Sequence, residues 1–295
     1  MSANLRPPPD RVGVVGGGRM GSGIAHAFLV AGSRVVLVEV DAGAADAAHT
    51  RIETAVRATA ARGKLDRTVD DVVAGLNVEH RIDAVADASL VIESVPERAD
   101  LKANVLGAIE AVVRPDCVLA SNTSSLSIDE LATSLERPEL FLGLHFFNPV
   151  PASKLIEVVT GGRTATSVTA AATAWVAWLG KSFVVVRSSP GFASSRLGVA
   201  LGLEAIRMVE EGVASPEDID TAMTLGYSHP IGPLRLTDLV GLDVRLGVAE
   251  YLARTLGQRF EAPDLLRRKV EAGELGRKSG RGFYEWPKEK GEDGR

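Results

Sequence analysis

His145 and Glu157 are the residues whose types and spacing most directly suggest chemistry. They lie in the apolar runs FLGLHFF and KLIEVV, each six residues from Pro151, on either side of the turn-like segment NPVP. If the two runs are antiparallel strands, these side chains can face each other about 5 Å apart. The glutamate would then accept one imidazole proton and raise the basicity of the other nitrogen, as in a general base with an orienting carboxylate. A core histidine that is merely satisfied by a neighbour is the alternative.

A second polar stretch, SNTSSLSIDE, follows the apolar run CVLA. Ser127 with Glu130 three residues later resembles a helix capping box, which accounts for that serine. Asn122 and Ser124, with Thr123 and Ser125 beside them, have no such structural duty. They are candidates for ligand binding at the edge where open α/β sheets bind ligands, although turn formation is an alternative.

A glycine loop near the beginning of the chain predicts a phosphate site. Gly16, Gly18 and Gly21 form a GxGxxG pattern, with Arg19 and Met20 between the last two glycines. The pattern follows a valine-rich run and opens a helical segment, the context that gives it meaning. The first glycine permits a tight turn, the second lets the backbone approach a pyrophosphate, and the third lets helix pack on strand. A glycine-rich turn without a ligand is the alternative.

Glu39 lies 18 residues beyond Gly21, at the end of the next valine-rich run. A carboxylate at this place accepts hydrogen bonds from the ribose hydroxyls of a dinucleotide and repels a 2′-phosphate. The sequence therefore favours NAD over NADP as cofactor. Asp41 competes for the same role, and a solvated strand end is the alternative.

Apolar runs without alternation predict strands that are buried on both faces, as in a parallel sheet. They lie at 11–16, 34–40, 90–95, 117–122, 141–147, 154–159 and 183–186. Helical patterns lie between most of them, at 44–62, 98–113, 127–135 and 166–179. After residue 187 the pattern is helical only, at 193–212, 216–225 and 236–257. We therefore predict an α/β class with two domains, residues 1–188 and 189–295.

Composition limits the classes of protein. The chain has 295 residues, a net charge of −5 and scattered basic residues, which argues against a nucleic-acid-binding face. No run of 18 apolar residues and no signal-peptide core is present, and Cys117 is the only cysteine. These features predict a cytoplasmic protein that does not span a membrane. The five histidines show no metal-ligand spacing, so we expect no metal.

Taken together, the motifs resemble the L-3-hydroxyacyl-CoA dehydrogenase family, especially its short-chain 3-hydroxybutyryl-CoA members. The resemblance is carried by VGVVGGGRMGSGIA, VIESVPE, ASNTSS, GLHFFNPVP, LIEVV and GRKSGRGFYEW, in the family's order. It implies a Rossmann-like, mostly parallel NAD-binding domain, followed by an all-helical C-terminal domain that mediates homodimerisation. It also implies reversible oxidation of a (3S)-3-hydroxyacyl-CoA to the 3-oxoacyl-CoA with NAD.

The resemblance also assigns roles by position. His145 matches the catalytic base, Glu157 its carboxylate partner and Ser124 a serine that contacts substrate. The glycine loop and Glu39 match the dinucleotide site. Further positions match cofactor contacts or, for the last two, basic residues near the CoA 3′-phosphate: Glu97, Lys102, Asn122, Asn148, Lys278, Arg62 and Lys64.

Ser195 departs from the family pattern. In SPGFASSRL the family often has asparagine at this position, where it is the fourth member of the catalytic set. A serine hydroxyl is shorter but can still donate one hydrogen bond. The substitution leaves the role of Ser195 and the preferred substrate open.

Two other functions are compatible with the same motifs. One is a dehydrogenase of this fold acting on a free hydroxy acid, such as a sugar acid, or on an acyl group bound to a carrier protein. The other is an NAD-binding structural or regulatory protein without catalysis. The presence of His145, Glu157 and Ser124 together argues against the second.

Overall fold

The computed structural model of the chain describes residues 8–287. They form two compact units that divide between Ser189 and Pro190. No helix in this described part is both long and apolar enough to cross a membrane.

The first unit is an α/β domain with one large sheet. Its strands are β1 (Arg11–Val15), β2 (Arg34–Val38), β3 (Leu76–Glu79), β4 (Leu90–Glu93), β5 (Val118–Ser121), β6 (Phe141–Phe146), β7 (Leu155–Thr160) and β8 (Ser182–Arg187). Its helices are α1 (Arg19–Ala31), α2 (Ala42–Ala61), α3 (Val69–Val73), α4 (Ala99–Val112), α5 (Ile128–Leu131) and α6 (Thr166–Trp178). Valine, leucine and isoleucine side chains of the central strands are buried on both faces, which explains their unalternating sequence.

The sheet order is β3-β2-β1-β4-β5-β6-β7-β8. Pairs from β3 to β6 are parallel, β6 and β7 are antiparallel, and β7 and β8 are parallel. The predicted Rossmann-like, mostly parallel sheet is therefore confirmed. The strand order reverses beside β1, and open sheets of this kind bind ligands at such a switch point, outside the carboxyl ends of the strands.

The second unit is helical over its described residues. It contains α7 (Ser194–Glu210), α8 (Pro216–Gly226), α9 (Pro233–Val240), α10 (Leu242–Leu256) and α11 (Asp264–Glu271). Between residues 190 and 287 the only β structure is a set of isolated bridges at 276–285. Apolar side chains such as Leu203, Leu234 and Leu252 form its own core. The Ser215 hydroxyl caps α8 by accepting from the Asp218 amide at 3.1 Å.

The structure differs from the predicted elements in several places: the short helices α3 and α11 were not predicted, and two further differences have a clear physical reason. β3 was not predicted, because this edge strand reads LNVE and is only partly buried. The predicted helix over 236–257 is two helices, α9 and α10. Gly241, at a φ of 103°, adopts a conformation that an L-residue side chain strongly disfavours, and so breaks the helix there.

His26 on α1 makes the stability of the first unit dependent on pH. It is buried, its Nε2 lies 2.9 Å from Thr59 Oγ1, and its Nδ1 is buried without a hydrogen-bond partner. Burial lowers the pKa of His26 below its ordinary value of 6.5; a hydrogen bond with the Ala55 backbone opposes this and the charge of Lys181 adds to it. The fold therefore favours the neutral imidazole.

We expect the free energy of unfolding to fall as the pH drops below 6.5. The unfolded chain binds a proton at His26 more readily than the folded chain does. The stabilisation from the neutral imidazole is therefore complete above pH 6.5. Between pH 6.5 and the lower pKa of the folded state, the free energy of unfolding falls by up to ~1.4 kcal/mol per pH unit. His26→Gln does not titrate and should decline less steeply. Urea unfolding of both proteins at a series of pH values measures the difference. If the free energy of unfolding falls with pH equally in both proteins, His26 is not responsible for the pH dependence.

Candidate active site

The predicted site residues of the first unit gather at one edge of the sheet. Gly16 follows β1, Glu39 follows β2 and Asn122 follows β5, while His145 is the penultimate residue of β6. Because these strands are parallel, their carboxyl ends meet at the same edge. Residues far apart in sequence therefore line one crevice.

The glycine loop has the shape of a phosphate cradle. Gly16 has a φ of 97°, and a Cβ at Gly21 would overlap the carbonyl oxygen of Gly16. By contrast, nothing lies within 4 Å of a Cβ at Gly18, which precedes α1 without a side-chain cap. The open space beside Gly18 thus lies at the N-terminus of α1, the positive end of the helix dipole. This cradle fits the pyrophosphate of NAD.

Gly17, inside the loop, is fixed by hydrogen bonds at both its amide and its carbonyl group. Its amide donates to Glu39 Oε1 at 2.6 Å, and a Cβ there would lie 2.7 Å from the Ala48 methyl on α2. Its carbonyl accepts from the Ser22 hydroxyl at 2.6 Å and from Arg51 Nη2 at 2.7 Å. Glu39 therefore lies against the loop, where a ribose carboxylate is expected. Arg51 lies on the predicted helix over 44–62, but its contact with the glycine loop was not predicted.

We expect Arg51→Met to weaken NADH binding by about tenfold, because a charged donor that fixes the loop is lost. Titration calorimetry with NADH measures this. Arg57→Met is the matched control, since Arg57 lies on the same helix and pairs with Glu53 at an exposed site. Equal affinities of wild type and Arg51→Met would show that the loop keeps its shape without the guanidinium.

Glu97 organises the loop that carries Ser124. Its Oε1 accepts from Thr123 Oγ1 at 2.6 Å, from the Ser124 amide at 2.9 Å and from the Ser124 hydroxyl at 3.2 Å. Burial alone would raise the pKa of Glu97, but the charge of Lys102 and the hydrogen bonds from Thr123 and Ser124 lower it overall. An ionised Glu97 therefore fixes the position of Ser124.

Glu97 also contacts a fully buried ion pair, formed by Lys102 and Glu93. Lys102 Nζ is 2.7 Å from Glu93 Oε1, 3.1 Å from the Val95 carbonyl oxygen and 3.3 Å from Glu97 Oε2. Glu93 also accepts from the Ser121 hydroxyl at 2.6 Å. An ammonium has three hydrogens, and each has an acceptor here. Lys102 thus helps to fix Glu97, which holds the loop of Ser124. Its predicted contact with the cofactor stays a prediction. Glu93 is absent from the predicted site.

Asn122 braces the strand that carries the histidine. Its Oδ1 accepts from the Phe146 amide at 2.9 Å, and its Nδ2 lies 3.4 Å from Ser94 Oγ. The end of β6 is thereby tied to the ends of β4 and β5. The neighbouring His145 gains a defined position from these bonds.

His145 and Glu157 meet as predicted from the turn between them. They are direct partners in the antiparallel register of β6 and β7, and Nδ1 lies 2.7 Å from Glu157 Oε2. His145 is 6% exposed and Glu157 is fully buried. The Phe147 ring packs 4.4 Å from the imidazole, centroid to centroid. With Nδ1 engaged by a carboxylate, proton exchange with a ligand falls to Nε2, and Glu157 can stabilise the imidazolium.

The remaining predicted residues lie in different surroundings. Arg62 and Lys64 are exposed just beyond α2, and Asn148 is exposed in the turn between β6 and β7. Ser195 and Lys278 belong to the second unit. Ser195 lies in the first turn of α7, and Lys278 pairs with Asp243 at 2.6 Å.

Comparison with known proteins identifies the family. One family model, the NAD binding domain of 3-hydroxyacyl-CoA dehydrogenase, matches residues 11–189, and the C-terminal domain of the same enzyme matches 191–286. The 3-hydroxybutyryl-CoA dehydrogenase of Mycobacterium tuberculosis H37Rv is 43% identical over 282 residues, 93% of this chain and 98% of that protein. The 3-hydroxyadipyl-CoA dehydrogenase of Escherichia coli K12 is 39% identical over 95% of this chain, which spans 59% of that longer protein.

A solved structure agrees in fold. The crystal structure of (S)-3-hydroxybutyryl-CoA dehydrogenase from Ralstonia eutropha has a TM-score of 0.90 at 39% identity, covering 95% of this chain and 100% of that one. With the dinucleotide cradle and both matched domains, these similarities show that the chain belongs to the 3-hydroxyacyl-CoA dehydrogenase family of NAD-dependent oxidoreductases.

Proposed function

We propose that the protein interconverts short-chain (3S)-3-hydroxyacyl-CoA, such as 3-hydroxybutyryl-CoA, and the 3-oxoacyl-CoA, with His145 as general acid and base. The observation that carries this proposal is the 2.7 Å contact between His145 Nδ1 and Glu157 Oε2 in a buried setting. An alcohol oxidation needs a group that accepts the hydroxyl proton, and a histidine so oriented is suited to it.

Each step of the proposed reaction is assigned to a particular group. NAD, when bound, supplies the acceptor for the hydride that leaves C3 of the substrate. His145 Nε2 takes the proton of the C3 hydroxyl, and Glu157 stabilises the imidazolium that results. Ser124, fixed by Glu97, offers a hydroxyl near the reacting oxygen. In the reverse direction the protonated histidine polarises the ketone and returns the proton.

Other residues bind the two nucleotides. The loop from Gly16 to Gly21 holds the NAD pyrophosphate and Glu39 the ribose; Glu97, Lys102, Asn122, Asn148 and Lys278 complete the cofactor site. Arg62 and Lys64, exposed and without ion pairs among the described residues, hold the 3′-phosphate of CoA. Ser195 contributes one hydrogen bond to the substrate. These roles follow from position in the family pattern.

The substrate is a short-chain acyl-CoA thioester and not a free hydroxy acid. Relatives are named for 3-hydroxybutyryl-CoA and, in Escherichia coli, for 3-hydroxyadipyl-CoA. A dicarboxylic acyl chain is therefore within the range of such enzymes. The runner-up is oxidation of a free hydroxy acid or of a carrier-bound acyl group by the same residues.

The working form is a cytoplasmic homodimer that associates through the second unit. Leu197, Leu225 and Tyr227 are each more than 70% exposed there, and an interface through this unit would remove these apolar side chains from water. The one cysteine, Cys117, is buried and unsuited to linking subunits.

NADH absorbance tests the proposed reaction directly. NADH should form from (3S)-3-hydroxybutyryl-CoA and disappear with acetoacetyl-CoA, at a kcat/KM far above that for the free hydroxy acids and for carrier-bound esters. Faster turnover of a free acid or a carrier-bound ester would favour the runner-up. Tight NADH binding without turnover of any of these compounds would refute the enzyme reaction.

A further inference from the structure

Arg245, on α10, is a buried cation whose Nε has no hydrogen-bond partner among residues 8–287. The residue is 5% exposed. Among residues 8–287, no hydrogen bond or ion pair involves its guanidinium. Burial lowers the pKa of Arg245 to about 10, so the group stays charged at neutral pH. A buried charge of this kind is costly unless an anion meets it.

The carboxylates closest along the chain are already engaged. Asp238 accepts from the Phe283 and Tyr284 amides, each at 2.9 Å, and from Trp286 Nε1 at 2.7 Å. Asp243 pairs with Lys278 through Oδ2, and its Oδ1 is itself without a partner. The Asp243 carboxylate therefore does not meet the guanidinium. Neither Asp238 nor Asp243 therefore serves as the counter-ion of Arg245.

The guanidinium lies along α7 and extends toward the beginning of that helix. Its Nε and Cζ are 3.4 Å from the place of a Cβ at Gly202, and Nη1 is 3.6 Å from that at Gly198. Any larger residue at Gly202 would crowd the Arg245 side chain. Two glycines one turn apart thus leave a channel for the arginine, with its tip toward the N-terminal end of α7.

Ser195 lies on the same face of α7, because residues three apart on a helix are neighbours. The level of Gly198 is about 4.5 Å along the helix from that of Ser195. Under the proposed function, Ser195 contacts the substrate near its reacting carbons. In a six-carbon dicarboxylic acyl chain, the terminal carboxyl carbon lies about 4 Å beyond C3. The rise along α7 between Ser195 and Gly198, the residue beside Arg245 Nη1, is therefore comparable to the length of such a chain beyond C3.

We infer that Arg245 binds the terminal carboxylate of a dicarboxylic 3-hydroxyacyl-CoA, a substrate of the 3-hydroxyadipyl-CoA class. This inference rests on the proposed function and adds to it the chemistry of the far end of the acyl group. Arginine suits the role, since its planar donors match a carboxylate in a bidentate manner. The positive end of the α7 dipole favours the same charge.

The test compares two esters that differ only in the terminal carboxylate. We would measure kcat/KM for 3-hydroxyadipyl-CoA and 3-hydroxyhexanoyl-CoA with wild type, Arg245→Met and Arg254→Met. The last is the matched control, since Arg254 is an exposed arginine on the same helix. Wild type and the control should favour the adipyl ester by about 10–100-fold, as expected for a charge-assisted hydrogen bond. Arg245→Met should reduce this ratio to about one.

Two results would overturn the inference: a wild-type ratio of one or less, or an unchanged ratio in Arg245→Met, as an equal loss of kcat/KM on both esters would give. If Arg245→Met does not fold, inhibition of the wild type by adipyl-CoA and hexanoyl-CoA decides the matter. Tighter inhibition by adipyl-CoA supports the inference, and equal inhibition refutes it. Turnover of 3-hydroxyhexanoyl-CoA and 3-hydroxyadipyl-CoA at equal kcat/KM refutes the inference but leaves the proposed function intact, whereas no NADH from these esters or from (3S)-3-hydroxybutyryl-CoA refutes that function itself.

Discussion

His145→Ala is expected to lower kcat by about 10²–10⁴-fold, the usual contribution of a general base. The imidazole would no longer take the C3 hydroxyl proton, while the loop from Gly16 to Gly21 and Glu39 would be untouched. NADH binding should therefore survive. Initial rates with acetoacetyl-CoA measure the loss, and titration with NADH measures the binding.

The control for this variant is His80→Ala, which removes an exposed histidine elsewhere on the first unit. It should leave both kcat and NADH affinity at wild-type values. A His145→Ala enzyme that turns over at the wild-type rate would remove the imidazole from the chemistry. A loss of NADH affinity equal to the loss of rate would indicate a damaged fold.

Lys102→Met should destabilise the first unit by about 3–5 kcal/mol, the usual cost of removing one partner from a buried ion pair. Lys102 is 1% exposed and Glu93 is fully buried, so the remaining carboxylate could not recover its hydration. The Ser121 hydroxyl and the Val95 amide would still donate to it, but they carry no charge. Urea unfolding followed by circular dichroism measures the change.

The double variant Glu93→Leu/Lys102→Met is the informative partner of this experiment. Replacing both charges by apolar groups of similar size removes the unpaired carboxylate and should restore much of the lost stability. A cost below about 1 kcal/mol for the single variant would mean that water reaches Glu93.

The pairing of His145 with Glu157 was predictable because it rests on local geometry. A turn with two prolines fixes the register of the strands beside it, and a period of two then places His145 opposite Glu157. The glycine loop was predictable for a similar reason. Only glycine fits at Gly21, so the sequence must show it.

The supports of the site were less predictable because they depend on tertiary approach. Arg51 meets Gly17 only once α2 packs on the loop, and the pairing of Glu93 with Lys102 looks in the sequence like an ordinary acidic strand end and a helical lysine. The break at Gly241 was missed because an isolated glycine is tolerated in helices. Arg245 carries no sequence signal at all, since an arginine on a helix is usually solvated.

A double-mutant cycle tests most directly whether His145 and Glu157 act as one proton-transferring unit. kcat would be measured for wild type, His145→Ala, Glu157→Gln and the double variant, all with acetoacetyl-CoA and NADH. If the glutamate acts only through the imidazole, the double variant should be no slower than His145→Ala. Independent losses that multiply in the double variant would contradict the account.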